Sequence, residues 1–147
     1  MEIRPATSED VEAIQAHARA AYQIYVARIG REPAPMVADF AAQVAAGQVH
    51  VMVEDARILG YVVFESRDDH LHLENVAVDP ARKGQGIGGA LIAFVEAEAR
   101  RAGLVAVELY TNGMMHENLA MYPALGYRET GRRTEDGFER VYFRKEV

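Results

Sequence analysis

The strongest constraint on the fold is the stretch Val78-Asp79-Pro80-Ala81-Arg82-Lys83-Gly84-Gln85-Gly86-Ile87-Gly88-Gly89, where an extended segment passes into a helical one through closely spaced glycines. Leu71 to Val78 is rich in leucine and β-branched residues, as in a buried strand, and Pro80, lacking an N–H donor, ends its ladder. Beyond the glycines, Leu91, Phe94, Val95, Ala99 and Ala102 recur at helical spacing, and Gly103 is placed to close that helix with a left-handed cap. A strand, a glycine loop and a helix therefore follow one another. Such a junction presents main-chain N–H groups at the positive end of a helix dipole, with no side chains to keep a bulky anion away. The predicted guest is a phosphate.

Gly84, Gly86 and Gly89 satisfy the spacing G-x-G-x-x-G of a dinucleotide site, and Glu108 follows about 20 residues later. That fold, however, carries its glycines after the first strand and needs further strand-helix units to complete the sheet. Only Ala90 to Val147 follow here, and they read as one strand at Leu104 to Thr111, a short helical segment and a hairpin. The lysine-containing nucleoside-triphosphate loop is absent, because no Gly-Lys-Ser or Gly-Lys-Thr occurs. A turn without a ligand is the other alternative, but a turn requires one or two glycines rather than this cluster.

With 147 residues, 50% of them hydrophobic, the chain is expected to form a single domain over residues 1–147. No apolar run approaches the ~20 residues needed to cross a bilayer, and Met1-Glu2-Ile3-Arg4-Pro5 lacks the hydrophobic region of a signal peptide, so the expected location is the cytoplasm, without a membrane partner. The absence of cysteine excludes a thiolate nucleophile and cysteine-ligated zinc. A net charge of −6 argues against nucleic acid as a partner, and it means that an anion site must draw on local cations, here Arg82 and Lys83.

From the start, Glu2 to Ala6 reads as a strand, and Thr7 with Asp10 as a capping box opening a helix through about Ala21. Ala13, Ile14, His17, Ala18 and Ala21 form its inner stripe. A second helix is predicted from Met36 to Ala46, stopped by Gly47, after a connection from Arg28 to Pro35. Val49 to Glu54 and Leu59 to Glu65 flank Asp55-Ala56-Arg57 as a hairpin, and Leu71 to Val78 follows a turn at Arg67-Asp68-Asp69. The predicted order is strand, two helices, three strands, helix, strand, helix, two strands. The exposed edges of the C-terminal hairpin are compatible with a homodimer.

Val78, Pro80, Gly86 and Gly88 fit the pattern V-x-P-x-x-[RQ]-x-x-G-x-[GA], with Lys83 at the Arg/Gln position and Arg82 before it. Further on, Tyr122, Gly126 and Tyr127 fit N-x-x-A-x-x-x-Y-x-x-x-G-F, with Met115 at the asparagine position and Asn118 at the alanine. In both patterns, and in element order over nearly its whole length, the chain resembles the GNAT superfamily of N-acetyltransferases. The resemblance implies a mixed α/β (α+β) fold, with a mostly antiparallel sheet of about 6–7 strands flanked by about 4 helices. It also implies acetyl-coenzyme A as donor, a primary amine as acceptor and no metal. By the same resemblance the coenzyme lies against Val76, Ala77 and Val78 and against Lys83, Gly84, Gln85, Gly86, Ile87, Gly88, Gly89 and Ala90, with Asn118 as a further contact. A non-catalytic coenzyme-binding module of the same fold remains the alternative.

Acetyl transfer requires an amine to attack a thioester, an oxyanion to be held and a thiolate to leave, which the family accomplishes in one ternary complex. The amide of Val76 or Ala77 is the expected oxyanion donor. Tyr122 is the expected assistant to the leaving sulfur; full proton transfer from a phenol of pKa ~10 to a thiolate of ~8.5 is uphill by about 2 kcal/mol. A lysine-like amine of pKa ~10.4 must lose about 4 kcal/mol to become neutral near pH 7.4, whereas an α-amine near 8 loses under about 1 kcal/mol. Glu74 and His72, two positions apart on one strand face, are the candidate bases. His17, Tyr22, Tyr25 and the Arg28 to Pro35 connection lie in the segment that lines the acceptor groove of relatives. Glu135, Asp136 and Glu139 on the last hairpin suit a cationic amine, and Met114, Met115 and His116 carry no readable signal.

Overall fold

Hydrophobic patterning at the two periods resolves into seven strands and four α-helices in the computed structural model, which describes residues 1–147. In chain order these are β1 (Glu2–Pro5), α1 (Val11–Ile29), α2 (Phe40–Ala45), β2 (Val49–Glu54), β3 (Arg57–Arg67), β4 (His70–Val78), α3 (Ile87–Arg101), β5 (Ala106–Asn112), α4 (His116–Ala124), β6 (Arg128–Glu135) and β7 (Phe138–Glu146). The strands form one sheet in the order β1-β2-β3-β4-β5-β7-β6. Pairing is antiparallel for β1/β2, β2/β3, β5/β7 and β6/β7, and parallel for β4/β5, the step that α3 crosses over. This is the expected mixed α/β architecture and element order.

Packing divides the chain into two compact units, whose boundaries fall inside β3, β4 and α3. The first comprises Met1–Phe64 and Glu74–Phe94. Ile14 and Ala18 of α1, Phe40 of α2, Val51 and Tyr61 of the hairpin and Leu91 of α3 are buried in its core. The Thr7 N–H donates to the Asp10 carboxylate at 2.8 Å, and Arg4 grips the same carboxylate with bonds of 2.8 and 3.1 Å. The Arg4 guanidinium therefore holds the Asp10 carboxyl below its usual range, with the Thr7 amide adding to the effect. Gly60 of β3 has a specific reason to be glycine: a Cβ there would lie 2.8 Å from the Ala77 carbonyl oxygen and 3.2 Å from Leu91 Cδ1. Its missing side chain admits both β4 and the start of α3.

The second unit comprises Glu65–Leu73 and Val95–Val147. Val107 and Leu109 of β5 and Val141 and Phe143 of β7 are buried with Val95 and Ala99 of α3 and with Tyr122 and Tyr127. The outermost strand, β6, has exposed residues along almost its whole length.

Several boundaries differ from the sequence reading. Helix α1 continues past Ala21 to Ile29 because Tyr22 and Tyr25 prolong its buried stripe, and Gly30, at φ 90°, supplies the left-handed cap. Helix α2 starts at Phe40 rather than Met36. Pro33 and Pro35 direct residues 34–37 into a 3-10 turn, Ala38 is extended, and Asp39 caps the helix by accepting from the Ala42 N–H at 3.1 Å. Arg57 belongs to β3 rather than to the turn, since Asp55 (φ 50°) and Ala56 (φ 65°) alone make a tight two-residue reversal. A bulge between Met52 and Val53 absorbs the register change. The fifth strand begins at Ala106, not Leu104.

Candidate active site

In the first unit, β4 leads through Asp79 into a 3-10 turn at Pro80–Arg82, and Asp79 caps that turn by accepting from the Ala81 N–H at 3.0 Å. Gly84 and Gly86 then take φ values of 85° and 79°, which side-chain-bearing residues rarely adopt, and α3 begins at Ile87. Ala90 N–H is the first helical donor, bonding Gly86 O at 3.0 Å, so the N–H groups of Ile87, Gly88 and Gly89 have no acceptor within the helix. A Cβ at Gly84, Gly86 or Gly89 would meet nothing within 4 Å. Gly89 thus gains the fold nothing and weakens a helix, which is understandable if the free space serves a guest.

The two cations at this junction are not equivalent. Arg82 donates to Glu54 at 2.5 Å and to Gln85 at 3.1 Å. Its charge is therefore offset by the end of β2, contrary to the expectation that it adds to local positive potential. Lys83 is exposed and has no partner in the protein. Val76, Ala77, Val78 and Glu74 follow the point where the β4–β5 ladder stops, which spans His70↔Ala106 to Leu73↔Leu109. Of these four, only Ala77 is buried.

The second unit holds Tyr122, Asn118 and His72. Tyr122 is 4% exposed, its ring 5.7 Å from both Tyr127 and Phe143. Burial raises its phenol well above the ordinary value, so it stays protonated and keeps a hydroxyl proton to donate. No protein group hydrogen-bonds its hydroxyl. The Asn118 side-chain nitrogen donates to Thr111 Oγ1 at 3.1 Å and to Met115 Sδ at 3.6 Å, pinning the start of α4 to β5; its carbonyl oxygen is what is left for a ligand. Met115, silent in the sequence, is thus a buried acceptor at this corner. His72 is buried within the ladder opposite Glu108, its ring 5.7 Å from Tyr110. Of the proposed bases, then, His72 lies inside the ladder and Glu74 just beyond it.

The turn after Tyr122 is fixed by a partly buried charge cluster that the sequence did not reveal. Lys145 of β7 donates to Glu96 of α3 and to Leu125 O, both at 2.9 Å, and the Tyr127 hydroxyl donates to Glu96 at 3.0 Å. The acids of the last hairpin are compensated locally: Arg140 approaches Glu135 at 3.8 Å and Asp136 at 3.6 Å, and Arg132 approaches Glu139 at 4.0 Å. Their expected attraction for a cationic amine is correspondingly reduced. Asp69, His70 and Glu108 bring ligand-type atoms within 4.8 Å of one another, but Arg144 bridges Asp69 and Glu108, so a guanidinium already supplies the positive charge there. No helix is long and apolar enough to cross a membrane.

Residues 11–127 match the profile of the acetyltransferase (GNAT) family, a span that takes in α1, the glycine junction and the Tyr122 helix. The chain belongs to the GNAT family. Among characterised GNAT-type relatives, the aminoalkylphosphonate N-acetyltransferase of Salmonella typhimurium is 30% identical over 100 residues, covering 62% of this chain and 64% of that protein. The mycothiol acetyltransferase of Rhodococcus jostii is 46% identical over 54 residues, 35% of this chain and 18% of that one. The chain thus spans less than two thirds of the length of either relative. The GNAT fold is shared with the PaiA N-acetyltransferase of Thermoplasma acidophilum, solved with coenzyme A, at a TM-score of 0.82 and 17% identity, over 99% of this chain and 98% of that one.

Proposed function

We propose that residues 1–147 act as one GNAT domain that transfers an acetyl group from acetyl-coenzyme A directly to a primary amine of a small molecule or peptide. The observation that carries this reading is the start of α3, where three N–H groups have no helical acceptor, beside two glycines of positive φ and a Gly89 whose added Cβ would meet nothing within 4 Å. The diphosphate of the coenzyme accepts from the amides between Lys83 and Ala90, and Lys83 adds an uncompensated charge. Val76 to Val78 run alongside the pantetheine arm, and the amide of Val76 or Ala77 receives the oxyanion as the amine adds to the thioester carbon. The amine gives up its proton to Glu74, or to His72, directly or through water. When the carbon–sulfur bond breaks, Tyr122 donates a hydrogen bond to the departing thiolate; its raised pKa makes it a stabiliser rather than a full proton donor. Asn118 offers its carbonyl oxygen to the coenzyme.

The test is incubation with acetyl-coenzyme A and a panel of amines, with free thiol as the readout. Thiol release that depends on one class of amine supports the reading. A rise in melting temperature with coenzyme A but no thiol from any amine would favour a non-catalytic binding module, and absence of calorimetric heat with the coenzyme would overturn both.

A further inference from the structure

Asn75 is a polar residue in the apolar run of β4 and is 4% exposed. Its Oδ1 accepts from the Tyr22 hydroxyl of α1 and from the Tyr61 hydroxyl of β3, each at 3.1 Å, and its Nδ2 donates to the Pro35 carbonyl at 3.3 Å. The Tyr22 hydroxyl also stands 2.8 Å from the carbonyl oxygen of Val76. Helix α1, the turn at residues 34–37, β3 and β4 therefore converge on one buried amide. The single Tyr22 proton is shared between Asn75 Oδ1 and the nearer Val76 carbonyl, whereas the Tyr61 phenol needs an acceptor and the Pro35 carbonyl a donor, and an amide offers both in a single group. An aspartate lacks the donor and a leucine lacks both, and leaving such groups unpaired in a core is costly.

The location gives this knot a functional meaning. Asn75 follows the end of the β4–β5 ladder at Leu73 and precedes Val76 and Ala77, the amides assigned to the oxyanion. The bond from Asn75 to the Pro35 carbonyl ties the turn at residues 34–37 to β4 one residue before Val76. We propose that Asn75 is a positioning residue for the acceptor: it fastens the turn at residues 34–37 to β4, so that the surface meeting the amine and the strand polarising the carbonyl keep one relative placement. The inference rests on the acetyl-transfer reading given above.

Two variants separate positioning from general support of the core. Asn75→Ala removes the bond to Pro35, whereas Tyr61→Phe removes a bond of the same knot and leaves that one in place. With the full chain, hydrogen exchange of the amides of residues 34 and 36–38 is expected to quicken about fivefold in Asn75→Ala, the factor of one ordinary hydrogen bond, and to stay unchanged in Tyr61→Phe. The amine KM is expected to rise about fivefold in Asn75→Ala only, with kcat and the coenzyme KM within about twofold of the parent. Equal effects in both variants, or none in Asn75→Ala, would overturn the proposal. If Asn75→Ala gives no cooperative melt, Asn75→Ser carries the same comparison; if neither folds, the role is structural and the proposal falls. A parent protein that releases no thiol with any amine defeats the acetyl-transfer reading instead, and an active parent with an unaltered Asn75→Ala KM defeats the positioning role alone.

Discussion

Replacing Gly89 by alanine should strengthen the fold and weaken the coenzyme at the same time. Gly89 lies in the first turn of α3 without a positive φ, and a Cβ there meets nothing within 4 Å, so neither strain nor crowding opposes the change. The gain from helix propensity and a stiffer unfolded chain is about 0.5–1 kcal/mol. For a domain near 150 residues that corresponds to a rise of roughly 1–4 °C in melting temperature. If a diphosphate oxygen sits within hydrogen-bond distance of the Gly89 amide, the added methyl crowds it and displaces at least one charge-assisted bond. Such a bond is worth about 1.5–3 kcal/mol, so the coenzyme dissociation constant should rise by about 10- to 150-fold. Scanning calorimetry of the unliganded protein gives the first number and titration calorimetry with coenzyme A the second. A higher melting temperature with unchanged affinity would show that no ligand approaches this turn, and a lower one would show that the space is not open.

Three further outcomes test the remaining assignments. Tyr122→Phe should slow thiol release by about 10- to 100-fold while leaving coenzyme affinity nearly unchanged, and an unaltered rate removes the phenol from the mechanism. Glu74→Gln should abolish the acidic limb of the pH profile of kcat/KM; a limb that persists unshifted points to His72 or water instead. Asp10→Asn tests the Arg4–Asp10 cap: because the folded carboxyl titrates below its unfolded value, its contribution is complete above about pH 4 and is lost as the pH falls through the folded value. The variant should be less stable by about 1 kcal/mol near neutrality, with melting curves converging at low pH, and a constant gap down to pH 2 would contradict the linkage.

Features set by neighbours in sequence were the legible ones. The glycine junction, the cap at Thr7 and Asp10, and the turns at Asp55 and Asp136 announce themselves because glycine, proline and short acids act on their own backbone. The extension of α1 was hidden because aromatic residues at helical spacing, such as Tyr22 and Tyr25, are more often core but here fall in a segment that lines a groove in relatives, and only burial decides between the two. Pairings across long stretches of chain left no local trace. Nothing in Ala81 to Gly86 signals that Arg82 is held by Glu54, and nothing in Leu71 to Val78 signals that Asn75 collects two phenols and a carbonyl from elsewhere. The same limit applies to Glu96 and Lys145, which are 49 positions apart.

That last pair carries an evolutionary consequence. Glu96, 7% exposed, owes its tolerable burial to the ammonium of Lys145 and the phenol of Tyr127. Loss of the lysine alone would leave a buried carboxylate without its paired cation, held by the Tyr127 phenol, whereas exchanging both for well-fitting apolar side chains need cost little. Descendants of this sequence should accordingly keep or discard the two charges together, so that positions 96 and 145 drift as a linked couple.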